Sequence, residues 1–84
     1  MLPMRKTLNA RFMTSSELAA AIGITLSTVH YYTALGLLQA RRRAGNKRLY
    51  DSREAKTRLQ DIARLRHDGY SLTLIRKVLD TESR

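Results

Sequence analysis

Cysteine is absent from this 84-residue chain. That excludes disulfides, thiolate metal sites and thiol redox chemistry. The single proline, Pro3, discourages a helix in the first residues. No apolar run is long enough to span a bilayer, and the opening MLPMRKTLNARF has charges but no apolar h-region. Neither a membrane partner nor a secretory signal is therefore expected, and the expected location is cytoplasmic. Histidine is scarce too: His30 and His67 stand alone, with no paired carboxylates and no nucleophile–base set. Hence no catalytic residues, no metal ligands and no cofactor are expected, and the chain reads as a non-enzyme. A domain this small buries only about 60 to 65% of its unfolded surface, which argues against a deep substrate pocket.

What the chain has is positive charge, +9 in total and unevenly spread. Through residue 50 eight cations face one acid, Glu17, whereas beyond it eight cations face six acids. A basic half of this kind is an electrostatic footprint for phosphates.

The stretch the chain is organised around is TLSTVHYYTALGLL, residues 25–38. Before it, TSSELAAAIGI reads as a short helix, with Thr14 and Glu17 spaced as a capping box, Leu18, Ala19 and Ile22 on one face, and Gly23 as terminator. Thr25 is the candidate N-cap of the second helix. Two short helices joined by a tight glycine turn predict a helix-turn-helix over residues 14–35. With Val29 inward, Leu26 and Tyr32 or Thr33 share its side. Ser27, Thr28, His30 and Tyr31 then fall outside or at the edge, a small polar set suited to phosphates and base edges. His30 lacks an acidic neighbour in sequence, so a phosphate or base contact suits it better than metal binding. For Tyr32, half-buried packing is the expected main role.

Gly36 suits the left-handed position that ends the second helix, and Leu37 and Leu38 return the chain to the core. Residues 39–43 and 47–50 then read as two strands, with Ala44-Gly45-Asn46 supplying the reversal, a basic wing. Arg41, Arg42, Arg43, Lys47 and Arg48 give it five cations and no acid. Asp51 or Ser52 begins a third helix whose inner face is Ala55, Leu59, Ile62, Ala63 and Leu65, ended by Asp68-Gly69. Ser71 caps a fourth, with Leu72, Ile75, Val78 and Leu79 on one side. The predicted fold is mainly α: a winged helix-turn-helix of four helices with a two-stranded wing. Residues 1–12 form a loose basic arm, 13–80 the domain, and 81–84 a frayed tail. The expected core is Leu18, Ile22, Val29, Leu37, Leu59, Ile62, Leu65, Ile75 and Leu79.

In order and spacing these segments, closed by RLRHDGYSLTLIRKVL, resemble a MerR-type winged helix-turn-helix DNA-binding domain over nearly the whole chain. The resemblance implies a transcriptional regulator whose second helix enters the major groove while the wing meets flanking backbone. Gly45-Asn46-Lys47-Arg48-Leu49-Tyr50 resembles the family's N-G-Y-R-x-Y, with Arg48 and Tyr50 matching. His30 stands where Arg is usual, Thr33 replaces a usual Glu, Ala40 a common Pro and Lys47 a Tyr. The implied DNA-binding set is Thr14, Ser15, Thr25, Ser27, Thr28, His30, Tyr31, Tyr32, Arg41, Arg42, Arg43, Asn46, Lys47, Arg48 and Tyr50. Double-stranded DNA is the expected partner and RNA polymerase a candidate second one. Family members usually continue into a dimerisation helix and an effector domain, which this sequence does not include. A monomer in isolation, paired or arrayed on DNA or through a further segment, is therefore expected. The alternatives are a small architectural DNA-binding protein of excisionase type and a protein-binding adaptor.

Overall fold

The computed structural model describes residues 11–82. The arm expected over residues 1–12 thus lies mostly outside the described residues, as do positions 83 and 84 of the expected tail. In chain order the elements are β1 (Phe12–Thr14), α1 (Ser15–Ile22), α2 (Leu26–Ala34), β2 (Arg42–Ala44), β3 (Lys47–Asp51), α3 (Ser52–His67) and α4 (Leu72–Glu82). The four helices stand where the periodicity placed them, and α4 runs two residues past the expected stop at Asp80.

The sheet corrects the two-stranded expectation. It has three antiparallel strands in the order β1-β3-β2, so β3 is central. Strand β1 pairs Met13 with Tyr50, and β2 pairs Arg43 with Arg48. An isolated two-stranded hairpin is marginal in water, and β1 supplies the third strand that holds the wing's base. Three residues are too few to show a period, which is why Phe12 read as arm.

Local chemistry explains the starts and stops. Thr14 and Glu17 close a reciprocal capping box, at 3.2 Å from the Glu17 N–H to Thr14 Oγ1 and 2.9 Å from the Thr14 N–H to Glu17 Oε1. Asp51 caps α3 by accepting the Glu54 N–H at 2.9 Å, and Ser71 caps α4 by accepting the Leu74 N–H at 3.2 Å. After α2, Gly36 takes φ +84°, and the Leu37 N–H returns to the Tyr32 carbonyl at 2.9 Å. A side chain at Gly36 would also meet the Arg76 guanidinium, 3.3 Å from an added Cβ. At the wing tip Gly45 alone is left-handed, at φ +64°, the signature of a II′ hairpin turn.

The core gathers all four helices and the inner face of the sheet around Met13, Leu18, Val29, Leu37, Tyr50, Ile62 and Ile75, each essentially inaccessible. Eight of the nine expected core residues are buried; Ile22 is half-buried and packs on the edge of the cluster. Two inward assignments are corrected. Leu26 is 41% exposed, because it opens α2 where the helix has not yet met the core, and Ala63 faces solvent on α3. The buried face of α3 is Ala55, Leu59, Ile62 and Leu65. No helix among the described residues is long and apolar enough to cross a membrane.

Truncating Ile62 to Ala should cost about 2 to 5 kcal/mol, since it removes three carbons from a closed site. Leu74→Ala, on the exposed side of α4, should stay within about 0.5 kcal/mol. Chemical denaturation of the two variants checks both, and similar losses would contradict the packing described.

Candidate nucleic-acid interface

Helix α2 begins at Thr25, whose Oγ1 accepts the Thr28 N–H at 3.1 Å and lies 2.8 Å from the Thr28 hydroxyl. That cap fixes the first turn and leaves Ser27, His30 and Tyr31 exposed, with Thr28 half-buried. Tyr31 is the most open large hydrophobic side chain among the described residues, 55% exposed, and its ring centroid lies 6.2 Å from that of half-buried Tyr32. Tyr32 packs against the core, as expected of it. Thr14 and Ser15 stand half-buried at the start of α1, and the Thr14 hydroxyl is committed to the cap.

Strand alternation sorts the wing cations, which the sequence treated as one cluster. Residues opposite each other across an antiparallel ladder point to the same face, and successive residues to opposite faces. Arg48 lies two residues before buried Tyr50, so it and its partner Arg43 share the face turned toward the helix-turn-helix. Between α2 and the wing this leaves an open crevice of about 590 Å³, bordered by Thr33, Gly36, Gln39 and the arginines at 41, 42, 43 and 48. Among the described residues no acid lines it. Asn46 and Lys47 are exposed at the tip.

Arg41 and Arg42 also engage groups outside the crevice. Arg41 forms a two-pronged pair with Glu54 of α3, Nε to Oε1 at 2.9 Å and the terminal nitrogen to Oε2 at 2.6 Å. This bond holds the Glu54 carboxyl below its ordinary range and the Arg41 guanidinium above its own. Asp51 is likewise held low, chiefly by the Glu54 N–H it accepts and also by nearby Arg11. Arg42, on the outer face, lies over the Phe12 ring at 5.0 Å, and Arg11 over the same ring at 5.4 Å. The wider groove on this side carries Asp51, Glu54, Asp61 and Asp80 among its arginines, so its charge is largely compensated.

Tyr50 corrects the expected set. Its side chain is fully buried, and its hydroxyl lies 2.8 Å from Thr33 Oγ1. It lies on the same face of the central strand as its register partner Met13, also fully buried, and as Arg48 two residues earlier. Gln39 and Thr33 also border the crevice. Both are uncharged residues next to the turn that ends α2, and only the register of the wing places them beside Arg43 and Arg48.

Over residues 13–82 the chain matches the family described as MerR HTH family regulatory protein. It is 43% identical over 77 residues to "Nodulation protein NolA" of Bradyrhizobium diazoefficiens, a match covering 90% of this chain and 32% of that protein. It is 54% identical over 41 residues to "HTH-type transcriptional regulator CueR" of Bacillus subtilis, covering 49% of this chain and 29% of that one. The crystal structure of a MerR-family transcriptional regulator from Bacillus cereus superposes with a TM-score of 0.72 at 29% identity, over 81% of this chain and 51% of that one. The chain thus spans about a third of the length of the curated relatives it matches.

Two stability effects follow from the charge placement. Arg43 and Arg48 are like charges directly opposed on a ladder, an arrangement that destabilises by about 0.2 to 1 kcal/mol. Arg43→Thr should therefore raise the melting temperature slightly at low salt, and the gain should fade as salt is added. The Arg41–Glu54 pair is exposed and contributes at most about 1 kcal/mol. Because the folded state lowers the Glu54 pKa, that contribution is complete above the unfolded carboxylate range, about pH 4.3, and is lost as pH falls through the folded value. The melting-temperature gap between wild type and Glu54→Gln should accordingly be present at pH 7 and close in acid. A gap that widened below pH 4 would contradict the assignment.

Proposed function

Since the chain belongs to the MerR family of helix-turn-helix regulatory proteins, we propose that it is the sequence-reading, double-stranded-DNA-binding part of a transcriptional regulator acting in the cytoplasm. The carrying observation is the crevice between α2 and the wing, where Arg43 and Arg48 oppose each other and no acid lines the space among the described residues, beside a helix whose exposed face is Ser27, His30 and Tyr31. In this reading α2 lies in the major groove. Ser27, Thr28, His30 and Tyr31 meet base edges and neighbouring phosphates, with Thr25 and the start of α1 at Thr14 and Ser15 alongside. Arg43 and Arg48 take flanking phosphates, helped by Lys47 and Asn46 at the wing tip. Arg41 and Arg42 contribute field more than direct contacts, because Glu54 and Phe12 already hold their guanidinium groups. Two copies meet on DNA half-sites, and RNA polymerase is the second partner of the assembled regulator.

The division of labour is testable with a cognate duplex selected from a random pool and an unrelated duplex of equal length. Arg48→Ala should weaken both complexes by similar factors and reduce the salt slope by about one unit for each phosphate it no longer neutralises. His30→Ala or Thr28→Ala should weaken the cognate complex by about 1 to 3 kcal/mol more than the random one, the discrimination that one good base-edge pairing supplies. Arg43→Thr should lower affinity while it raises stability, an opposition that a purely structural residue would not show. If wing variants lose discrimination while helix variants retain it, the two roles are reversed. Unchanged affinity in every variant would dispose of the DNA reading.

A further inference from the structure

We infer that the hydroxyl pair Thr33–Tyr50 is the positioning device of this interface: it sets the reading helix at a fixed distance from the wing strand, so that base contacts and backbone contacts are made together. The inference rests on the proposed DNA reading and adds two residues that touch no DNA.

The direction of the bonds is determined by proton count. A threonine hydroxyl has a single proton. That of Thr33 is donated to the Val29 carbonyl at 2.8 Å. The 2.8 Å contact between Thr33 Oγ1 and the Tyr50 hydroxyl must then be a donation from Tyr50 into Thr33. The result is a short relay, from the phenol of β3 through Thr33 to the backbone of α2. Tyr50 is fully buried and Thr33 half-buried, so water competes poorly for the relay.

Its place in the chain gives it leverage. Thr33 lies three residues after His30 on α2, and Tyr50 two residues after Arg48 on β3. The bond therefore joins the segment proposed to meet bases to the strand proposed to meet phosphates. Thr33 also borders the arginine crevice, so a displacement there would change the crevice directly.

The test compares two selected duplexes. One extends under both α2 and the wing, and the other is cut back to the base pairs under α2. Tyr50→Phe keeps the ring in the core and removes only the donor. It should weaken binding to the long duplex by about two- to ten-fold, the span of one neutral hydrogen bond, and leave the short duplex unaffected. Thr33→Val should do the same or more, since it strands the buried phenol, and Thr33→Ser should restore wild-type binding. The double variant should lose no more than Thr33→Val alone, because both changes break one relay. Thermal denaturation of each variant accompanies the titrations, so that a drop in folded fraction is separated from a drop in affinity; should Thr33→Val not fold, Tyr50→Phe and Thr33→Ser carry the comparison. Equal losses on both duplexes, or none on the long one from Tyr50→Phe, overturn the inference. A wild type that binds both duplexes equally overturns the inference alone, and one that binds neither overturns the DNA reading and this inference with it.

Discussion

Strand β3 must satisfy three demands at once, and its two-residue period reconciles them. It pairs on one edge with β1 and on the other with β2, so its backbone groups are matched on both sides. It places Tyr50 in the core, Arg48 in the crevice, and Asp51 where it caps α3. A slip of one residue would bring Leu49 into the core face and put Tyr50 and Arg48 outside. It would also move the cap of α3 out of reach of the Glu54 N–H. Register in this strand thus couples the fold to the charge pattern.

The arginines of the wing differ in what the rest of the fold has already done with them. Glu54 neutralises Arg41 across the interface with α3, and the Phe12 ring receives Arg42 on the outer face. Among the described residues Arg43 and Arg48 receive neither an acid nor a ring, and they face each other. Opposed like charges are costly to the free protein and become favourable when a polyanion releases its counterions there. Placement opposite each other, beside the exposed face of α2, is what singles this pair out for the proposed phosphate contacts. At the other end of the wing's connection, Arg58 donates to the Leu37 carbonyl and to Asp80, at 2.8 and 3.0 Å, so α3 and α4 hold the turn from which the wing departs.

Much of this was legible in the sequence, for identifiable reasons. Thr14 with Glu17, Asp51 or Ser52 at the start of the third helix and Ser71 at the start of the fourth are local signals that act within one turn; the caps form at Thr14, Asp51 and Ser71. Apolar spacing at Leu59, Ile62, Leu65, Ile75 and Leu79 is equally local and named buried residues correctly. What failed depended on pairing between distant segments. Strand β1 is three residues long and exists because β3 offers it an edge, which no window around Phe12 can reveal. Tyr50 matches a motif that implies a DNA contact, yet its pairing with Met13 turns it inward. Leu26 satisfied the helical period but sits a turn too early to reach the core.

The same distinction bears on how the site achieves precision. Each short element alone would hold its contact residues loosely: α2 has nine residues, and β2 has three. Isolated helices shorter than about 12 residues are marginal in water, as are isolated hairpins. Reading DNA at two places nevertheless requires a fixed separation, because a contact made at one place helps the other only if the span between them is already set. The core sets the span coarsely through Val29 and Tyr50, both fully buried. Apolar packing is non-directional and tolerates small rotations of a helix. A hydrogen bond between buried groups tolerates fewer, since its strength falls steeply with angle and an unmet partner is costly. A directional bond from β3 to α2 therefore supplies what burial alone lacks, and it does so one turn beyond His30, where a small rotation of the helix would carry the exposed side chains furthest from their register with the wing.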